Sequence, residues 1–435
     1  MKPYEKYKES GVEWIGEIPE HWTGTPLKHI SSITKGKKAK EDFQDYSEGL
    51  IPYLSMEFLR NQTDSPIYVN PNDNSIVLVE EKDLLILWDG SKAGEIVKAK
   101  KGALSSTMGK IHINNVNFDV EFITYLLKYS ERFIQSNRIG MGIPHVDGEV
   151  LRDLLILKPT LQEQTAIAKY LDHQTAIIDE LIEKKTKQIA LLKEKRQAII
   201  NEAVTKGLDP TAKMKDSGLD SFGQIPENWI LTKLKFLSKV KGRIGFRGYT
   251  TNDLVEEGEG ALTLGATHIT WEGDIDLSNP VFISWEKYEE SPEIKLNKGD
   301  IVIVQRGSTC GKVAIISEEI GYATINPSLV ILKEVNANPF YVFLSIKAAL
   351  EALVNLTRSA AIPMLSQEQI GNLQIVLPPL EEQDRIAEYL NKVKIKFEYA
   401  IKQCSDSIEK LKEYRQSLIS EAVTGKIDVR GWQKN

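Results

Sequence analysis

The sequence predicts an α+β protein, with two α/β bodies in pseudo-two-fold arrangement joined by two long antiparallel coiled-coil helices. Three observations predict it. The chain repeats itself, half against half. Each half closes on a long stretch, 161–205 and 380–424, that contains neither glycine nor proline. Each half also carries apolar runs of strand type that end in Gly-Ser turns.

The repeat comes first. Ser10-Gly-Val-Glu-Trp-Ile-Gly-Glu-Ile-Pro-Glu-His-Trp22 returns as Ser217-Gly-Leu-Asp-Ser-Phe-Gly-Gln-Ile-Pro-Glu-Asn-Trp229. Leu161-Gln-Glu-Gln164 returns as Leu380-Glu-Glu-Gln383, and Glu202-Ala-Val-Thr205 as Glu421-Ala-Val-Thr424; both pairs lie 219 positions apart. The stretch between them therefore has one length in both copies. Within the bodies, Lys82-Asp-Leu-Leu-Ile-Leu-Trp-Asp-Gly-Ser-Lys-Ala-Gly94 parallels Gly299-Asp-Ile-Val-Ile-Val-Gln-Arg-Gly-Ser-Thr-Cys-Gly311. Each reads as a buried strand running into a turn. Ile143-Pro144 parallels Ile362-Pro363, whereas Ile51-Pro-Tyr-Leu-Ser-Met56 stands where Ala261-Leu-Thr-Leu-Gly-Ala266 stands. One scaffold thus carries two different surfaces. The resulting segments are 1–160, first body with the motif at 10–22; 161–205, first helix; 206–229, linker and second motif; 230–379, second body; 380–424, second helix; and 425–435, C-terminal segment.

The two stretches are rich in Ala, Leu, Glu, Lys and Gln, which favour helix. Pro159 and Pro378-Pro379 bound them at the start, and Gly207 and Gly425 at the end. Apolar residues recur every seven positions, which predicts a helix–helix seam. On the first helix the seam is Leu171, Ile178, Leu181, Leu192 and Ile199, with polar Lys185 and Gln188 inside it. On the second it is Leu390, Val393, Phe397, Leu411 and Leu418, with Cys404 and Tyr414 in the same register. Equivalent halves require the second helix to return to the first body, so the helices run antiparallel. The segment Gly425 to Trp432 should then lie beside the motif Gly11 to Trp22.

Composition bounds the rest. A chain of 435 residues with 41% apolar and 27% charged residues suits two or three globular cores. No apolar run approaches the ~18 residues that span a bilayer. The start, Met1-Lys-Pro-Tyr-Glu-Lys6, has no apolar signal core, so a cytoplasmic location is expected. Two cysteines, Cys310 and Cys404, cannot build a zinc cluster, and no disulfide framework is expected. The net charge of −6 decides nothing about nucleic acid, because a groove needs only local positive charge.

Two S-G-x-x-x-x-G-x-I-P-E-x-W motifs, two G-S-x-x-G turns, and two long helices beginning L-x-E-Q and ending E-A-V-T resemble the specificity (S) subunits of Type I restriction-modification systems, the HsdS family. The likeness covers nearly the whole chain. It implies that each body is a target-recognition domain reading one half of a bipartite site in double-stranded DNA. It implies that the helices set the gap between the half-sites, that two modification (methyltransferase) subunits dock on them, and that two restriction subunits join the larger complex. It further implies that S-adenosylmethionine belongs to the modification subunits and ATP and Mg²⁺ to the restriction subunits, so that this chain binds no cofactor and is not an enzyme.

Recognition needs cations for phosphates and hydrogen-bonding groups for base edges. In the first body the basic patch is Lys35-Gly-Lys-Lys-Ala-Lys40, giving Lys35, Lys37, Lys38 and Lys40 as candidates. With a one-residue slip, the second body places Lys241, Arg243 and Arg247 there, followed by Tyr249 and Thr250. The Gly-Ser turns add Ser91 and Lys92, and Arg306, Ser308 and Thr309, where backbone could approach a phosphate closely. Arg138 and Arg358 precede the two Ile-Pro pairs. Arginine suits guanine because its fork bonds O6 and N7 together. A solvated turn remains the plain alternative for each loop.

Catalytic signatures are lacking. The sequence has no G-x-x-x-x-G-K-[ST] and no H-E-x-x-H, and its histidines and cysteines show no ligand spacing. Asn338-Pro339-Phe340-Tyr341 approaches the N-P-P-[YF] of adenine methyltransferases without the second proline, and N-capping is the expected role of Asn338. Glu293-Ile294-Lys295 is an E-x-K triplet with no paired Asp in a suitable strand upstream. Two other functions stay open at the level of sequence: a stand-alone DNA-modifying enzyme, and a coiled-coil adaptor that does not touch DNA.

Overall fold

The computed structural model describes residues 2–219, 222–243, 248–357 and 364–433. They divide into two units, Met1–Thr186 with Ser405–Asn435, and Lys187–Cys404. Four long helices organise them: α1 (Val120–Ser136), α2 (Leu161–Lys206), α3 (Pro339–Thr357) and α4 (Leu380–Val423). Among the described residues, no helix is long and apolar enough to cross a membrane.

The first unit opens with an antiparallel hairpin, Tyr7–Glu9 against Glu17–Pro19, closed by the Ser10 N–H donating to the Gly16 carbonyl at 3.0 Å. Strand Thr23–Pro26 then pairs antiparallel with Leu155–Lys158 at the far end of the body. An antiparallel sheet runs in the order Ser31–Lys35, Met108–Ile113, Leu84–Leu87, Ile96–Lys98. Leu84, Leu85, Ile86 and Leu87 are all buried, because both faces of that strand are covered. A second sheet, Ile67–Val69, Ile51–Leu54, Gly102–Leu104, Leu78–Val79, contains one parallel pair, Ile51–Leu54 with Gly102–Leu104. Helix α1 starts where the Asp119 carboxylate accepts the N–H groups of Glu121 and Phe122, and it buries Phe122, Ile123, Leu126 and Leu127.

The second unit repeats this plan. Its hairpin is Met214–Asp216 with Gln224–Pro226, and its closing pair is Ile230–Lys233 with Gln374–Leu377. The antiparallel sheet is Lys239–Gly242, Leu329–Lys333, Ile301–Val304, Val313–Ile315. The second sheet differs at its edge: Leu254–Val255 lies outside Phe282–Ser284, which pairs with Gly260–Leu264, itself parallel to Ala323–Ile325.

Each unit holds one end of each of α2 and α4. In the first, Ile167, Leu171 and Ile178 share a core with Leu418, Ile419, Ala422 and Val423. In the second, Ile200, Ala203 and Val204 share one with Ile386 and Leu390. Start meets end in both cases, so the helices run antiparallel. Closure is repeated as well. The Lys2 carbonyl accepts the Asp428 N–H at 2.9 Å, the Tyr7 hydroxyl donates to the Gly425 carbonyl at 2.9 Å, and Trp432 packs edge-on against Tyr170. The segment after α4 therefore lies against the N-terminal motif. Gly425 (φ +72°) and Gly207 (φ +81°) end the two helices in the left-handed conformation, against the buried rings of Trp22 and Trp229. A Cβ on Gly425 would stand 2.5 Å from the Pro19 ring, so both space and backbone demand glycine.

The seam residues fare unequally. Leu171, Ile178, Leu390, Phe397 and Leu418 are buried; Leu192, Ile199, Val393 and Leu411 are half-buried. Leu181 is a correction: it is 41% exposed, and Ile182 packs against the core instead. From Leu171 the inward positions run Thr175, Ile178, Ile182, an eleven-residue step. That is the period of a nearly straight helix, from which a strict heptad drifts. Tyr414 is likewise exposed, and Lys185 is half-buried while Gln188 is exposed.

Candidate nucleic-acid interface

The elements that carry the candidate residues converge at one end of each antiparallel sheet. In the first unit, strand Ser31–Lys35 finishes there, Leu84–Leu87 finishes there into the Gly-Ser turn, and Met108–Ile113 begins there. The Lys35 ammonium lies 3.1 Å from the Asp89 carboxylate and 5.6 Å from the centre of the Trp88 ring. Gly36 follows, its N–H donating to the Met108 carbonyl at 2.8 Å. A Cβ there would meet the Ser105 carbonyl oxygen at 2.0 Å, so only glycine lets the chain pass. The chain emerges with Lys37, Lys38 and Lys40 exposed. Tyr53 anchors this exit, donating to the Lys37 carbonyl at 3.2 Å and accepting the Ser106 N–H at 2.9 Å. Lys40 is partly engaged: its backbone N–H donates to the Asp73 carboxylate at 2.9 Å, and its ammonium stands 3.9 Å from that carboxylate.

The Gly-Ser turn closes the same end. The Gly90 N–H donates to the Pro144 carbonyl at 2.9 Å, which ties the turn to the loop 139–145. Ser91 and Lys92 are exposed. Lys92 lines a cleft of about 840 Å³ with Lys128, Glu131, Asp179 and Arg415. Arg138 is a brace: its guanidinium donates to the carbonyls of Gln135 at 2.7 Å and Ser91 at 2.5 Å. Two of its donors are thereby held by backbone. Beside the edge strand, a cleft of about 760 Å³ runs to the helix Gly148–Asp153, lined by Lys28, Ser32, Lys35, Trp88, Glu149 and Arg152. Lys28 is held by Asp153 at 2.6 Å, which keeps that carboxyl below its usual range.

The second unit builds the same end from other side chains. A smaller cleft lies between strand Lys239–Gly242 and the helix Gln367–Asn372, lined by Lys235, Lys239, Lys241, Gln367 and Glu368. Lys241 is exposed and makes no ion pair among the described residues. Arg306 takes the place of Asp89 and pairs through backbone with Met364, as Asp89 does with His145. Arg306 and Ser308 are exposed and Thr309 half-buried.

The one-residue slip between the two basic loops is not present. Lys35 pairs with Gly109 and Thr34 with Lys110 in the first sheet; Gly242 pairs with Val330 and Lys241 with Ile331 in the second. The central strands align these partners through Ile86 with Gly109 and Ile303 with Val330. Lys241 therefore corresponds to Thr34, Gly242 to Lys35 and Arg243 to Gly36. Similar glycines suggested the slip, but hydrogen-bond register fixes the match.

Arg243 is a second correction. It is 5% exposed, and its guanidinium donates to the Ile325 carbonyl at 3.1 Å and the Thr324 hydroxyl at 3.3 Å. Burial pulls its pKa down. It builds the core edge here and faces no open groove. Tyr249 packs on Ala261, Ile283 and Tyr288. The Thr250 hydroxyl accepts the Asn252 N–H at 3.3 Å as an N-cap, which engages the group proposed for DNA. Arg247, Arg358 and the Ile362-Pro363 pair lie outside the described residues.

Sequence reasoning missed Trp88, Ser106, Thr107 and His145, which join Lys35 at the sheet end. Only the repeat carried a signal for them, since Trp88 stands opposite Gln305 and His145 follows the Ile-Pro pair. The decoys resolve simply. The Asn338 side chain accepts the Tyr341 N–H at 3.0 Å and caps α3, while Lys295 pairs with Glu289 at 2.6 Å above the Tyr288 ring. Among the described residues no group of His, Cys, Asp or Glu could hold a metal.

Known proteins share this plan. Residues 19–191 and 225–410 match the family described as Type I restriction modification DNA specificity domain, once in each half. The Type I restriction enzyme MjaVIII specificity subunit of Methanocaldococcus jannaschii is 31% identical across 98% of this chain and 97% of its own length. The Type I restriction enzyme EcoBI specificity subunit of Escherichia coli is 23% identical across 98% of this chain and 90% of its own. A chain solved in work on complex assembly and conformational transition of the type I R-M system has the same fold, with a TM-score of 0.69 at 16% identity, over 94% of this chain and 99% of that one. With a match in each half and a 31% identical relative along almost its entire length, this chain belongs to the family of type I restriction-modification DNA-specificity proteins.

Proposed function

We propose that this chain is the DNA-recognition subunit of a type I restriction-modification complex, in which the bodies 23–160 and 230–379 each read one half of a bipartite site. The specificity role comes with the family, whose specificity subunits are non-catalytic. One observation carries the bipartite reading. The same sheet end recurs in both units while its side chains change: Lys35, Gly36 and Asp89 in one, Gly242, Arg243 and Arg306 in the other. A repeated scaffold with unlike surfaces is what reading two unlike sequences requires. Exposed Lys37, Lys38, Lys241 and Arg306 would meet phosphates or base edges there. Helices α2 and α4, each shared by both units, would set the half-site gap and dock two modification subunits, and two restriction subunits would complete the assembly in the cytoplasm. S-adenosylmethionine, ATP and Mg²⁺ would sit on those partners.

The test is a body exchange. Residues 23–160 are replaced by the corresponding body of another family member, and methylated positions are mapped in the genome of a host that expresses the chain with its modification partner. One half of the methylated motif changes and the other stays. A change in both halves, or in neither, overturns the reading.

A further inference from the structure

The loop 139–145 of the first unit presents apolar side chains to solvent at the sheet end. Met141 is fully exposed (110%), Ile143 is 71% exposed and Ile139 47%. The display is not slack. Ile139 and His145 exchange both backbone hydrogen bonds, at 3.0 and 2.9 Å, so the loop is a hairpin. Its base is tied to the Gly-Ser turn by the Gly90 N–H on the Pro144 carbonyl, and to Trp88 by the Val146 N–H on the Trp88 carbonyl at 2.9 Å. Arg138 clamps its entrance to the Ser91 carbonyl. A braced hairpin that holds three aliphatic side chains in water calls for an apolar contact elsewhere.

We propose that this hairpin is a reading finger whose Met141 and Ile143 contact thymine 5-methyl groups in the major groove of the first half-site. The inference rests on the function proposed above. Three observations choose DNA as the occupant. The finger stands beside Lys35, whose ammonium reaches the Asp89 carboxylate, while Asp89 bridges to His145 through backbone. Lys37 and Lys38 leave from the same end, so the apolar tip has a cationic flank fit for a polyanion. The tip offers only two or three side chains, far short of the ~800 Å² per partner that a protein interface buries. Within DNA, the thymine methyl is the one apolar group displayed on a base edge, and it lies in the major groove.

The experiment uses the complete complex of this chain with its modification subunits. Methylome mapping supplies the motif. Each thymine of the half-site governed by residues 23–160 is then replaced by deoxyuridine, which lacks only the methyl, and affinity is measured by competition. At one position or more, wild type loses about fourfold, the worth of one buried methyl-sized group. Met141→Ala or Ile143→Ala binds the thymine duplex about that much more weakly and no longer distinguishes deoxyuridine. Both variants keep the wild-type melting temperature and the second half-site, because the side chains touch solvent. A half-site without thymine, an indifference of wild type to deoxyuridine at every position, or an equal fall in wild type and variants overturns the finger. A variant that loses DNA bending with no deoxyuridine effect overturns it too, since its side chains would then be wedging between base steps. Failure of the body exchange sinks the recognition reading itself, whereas a successful exchange with a silent deoxyuridine series sinks only the finger.

Discussion

At the scale of single residues, burial separates cations that sequence treats alike. Lys241 and Arg243 stand two positions apart, yet one faces solvent and the other bonds the Ile325 carbonyl inside the fold. Lys241→Ala should weaken DNA binding across all sequences and reduce the salt slope by about one, with the melting temperature unchanged. Arg243→Ala should instead destabilise the chain by about 1.5–3 kcal/mol, the worth of hydrogen bonds from a charged donor. Urea unfolding and a salt titration of binding distinguish the two. Glu131 supplies a pH prediction. Burial, with Glu95 nearby, pushes its pKa from 4.5 up to about 7, against the opposing pull of an Ile96 N–H and of Lys128 and Arg415. Between those values the folded chain keeps a proton that the unfolded chain has released. Stability therefore falls as pH rises from about 5 to about 7. Glu131→Gln should flatten that slope and stabilise the chain at pH 8 by about 1–2 kcal/mol, less than the full shift because solvent screens a partly exposed group. Unfolding curves at pH 5 and pH 8 for both proteins give the answer.

At the scale of elements, the L-x-E-Q motif is a latch. Gln164 accepts the Asp119 N–H at 2.8 Å and donates to the Pro159 carbonyl; Gln383 accepts the Asn338 N–H at 2.8 Å and donates to the Pro378 carbonyl. Each buried amide joins the start of a long helix to the cap of the body helix beside it. Gln383→Ala strands the Asn338 N–H and should cost about 1–3 kcal/mol. Asn338→Ala removes a cap and should cost about 1 kcal/mol. It should leave the methylated motif intact, since Asn338 serves α3 and no chemistry. Calorimetry and methylome mapping of the two variants check both statements. A second repeated feature is a lysine on each body helix, Lys128 and Lys347, turned toward an arginine of α4 or α2. Burial lowers both lysine pKa values, that of Lys347 to about 8, and Arg415 and Arg196 reinforce the shift.

At the scale of the whole molecule, the shared helices invite a ruler experiment. Both pass from one unit to the other, α2 between Thr186 and Lys187 and α4 between Cys404 and Ser405. Seven residues added to each at those points would lengthen a helix by ~10 Å, two turns with little net rotation. DNA rises ~3.4 Å per base pair, so the tolerated gap between half-sites should grow by about three base pairs. Pairing the insertions preserves the contacts at both ends. Methylated positions mapped before and after provide the readout, and an unchanged gap in an active complex shows that the helices are not the ruler.

The sequence by itself determined what repeats. Two glycine- and proline-free stretches bounded by Pro159, Gly207, Pro378 and Gly425 are sufficient for two long helices, since propensity and punctuation are local properties. The antiparallel course and the meeting of the C-terminal segment with the N-terminal motif followed from the repeat alone, because equivalent halves must close equivalently. Tertiary structure decided what depends on register and burial. Lys241 matches Thr34 rather than Lys35 because cross-strand hydrogen bonds, which no spacing along one strand reports, set the alignment. Arg243 and Arg138 were drawn to DNA by their charge, but backbone carbonyls, Ile325 for the first and Gln135 and Ser91 for the second, hold donors of both. Leu181 left the seam because a nearly straight helix turns less per residue than a strict heptad assumes, so the next residue, Ile182, met the core. The apolar hairpin at 139–145 was not legible in the sequence, which marked only the Ile143-Pro144 pair there. Only the folded chain shows Met141 and Ile143 exposed to solvent.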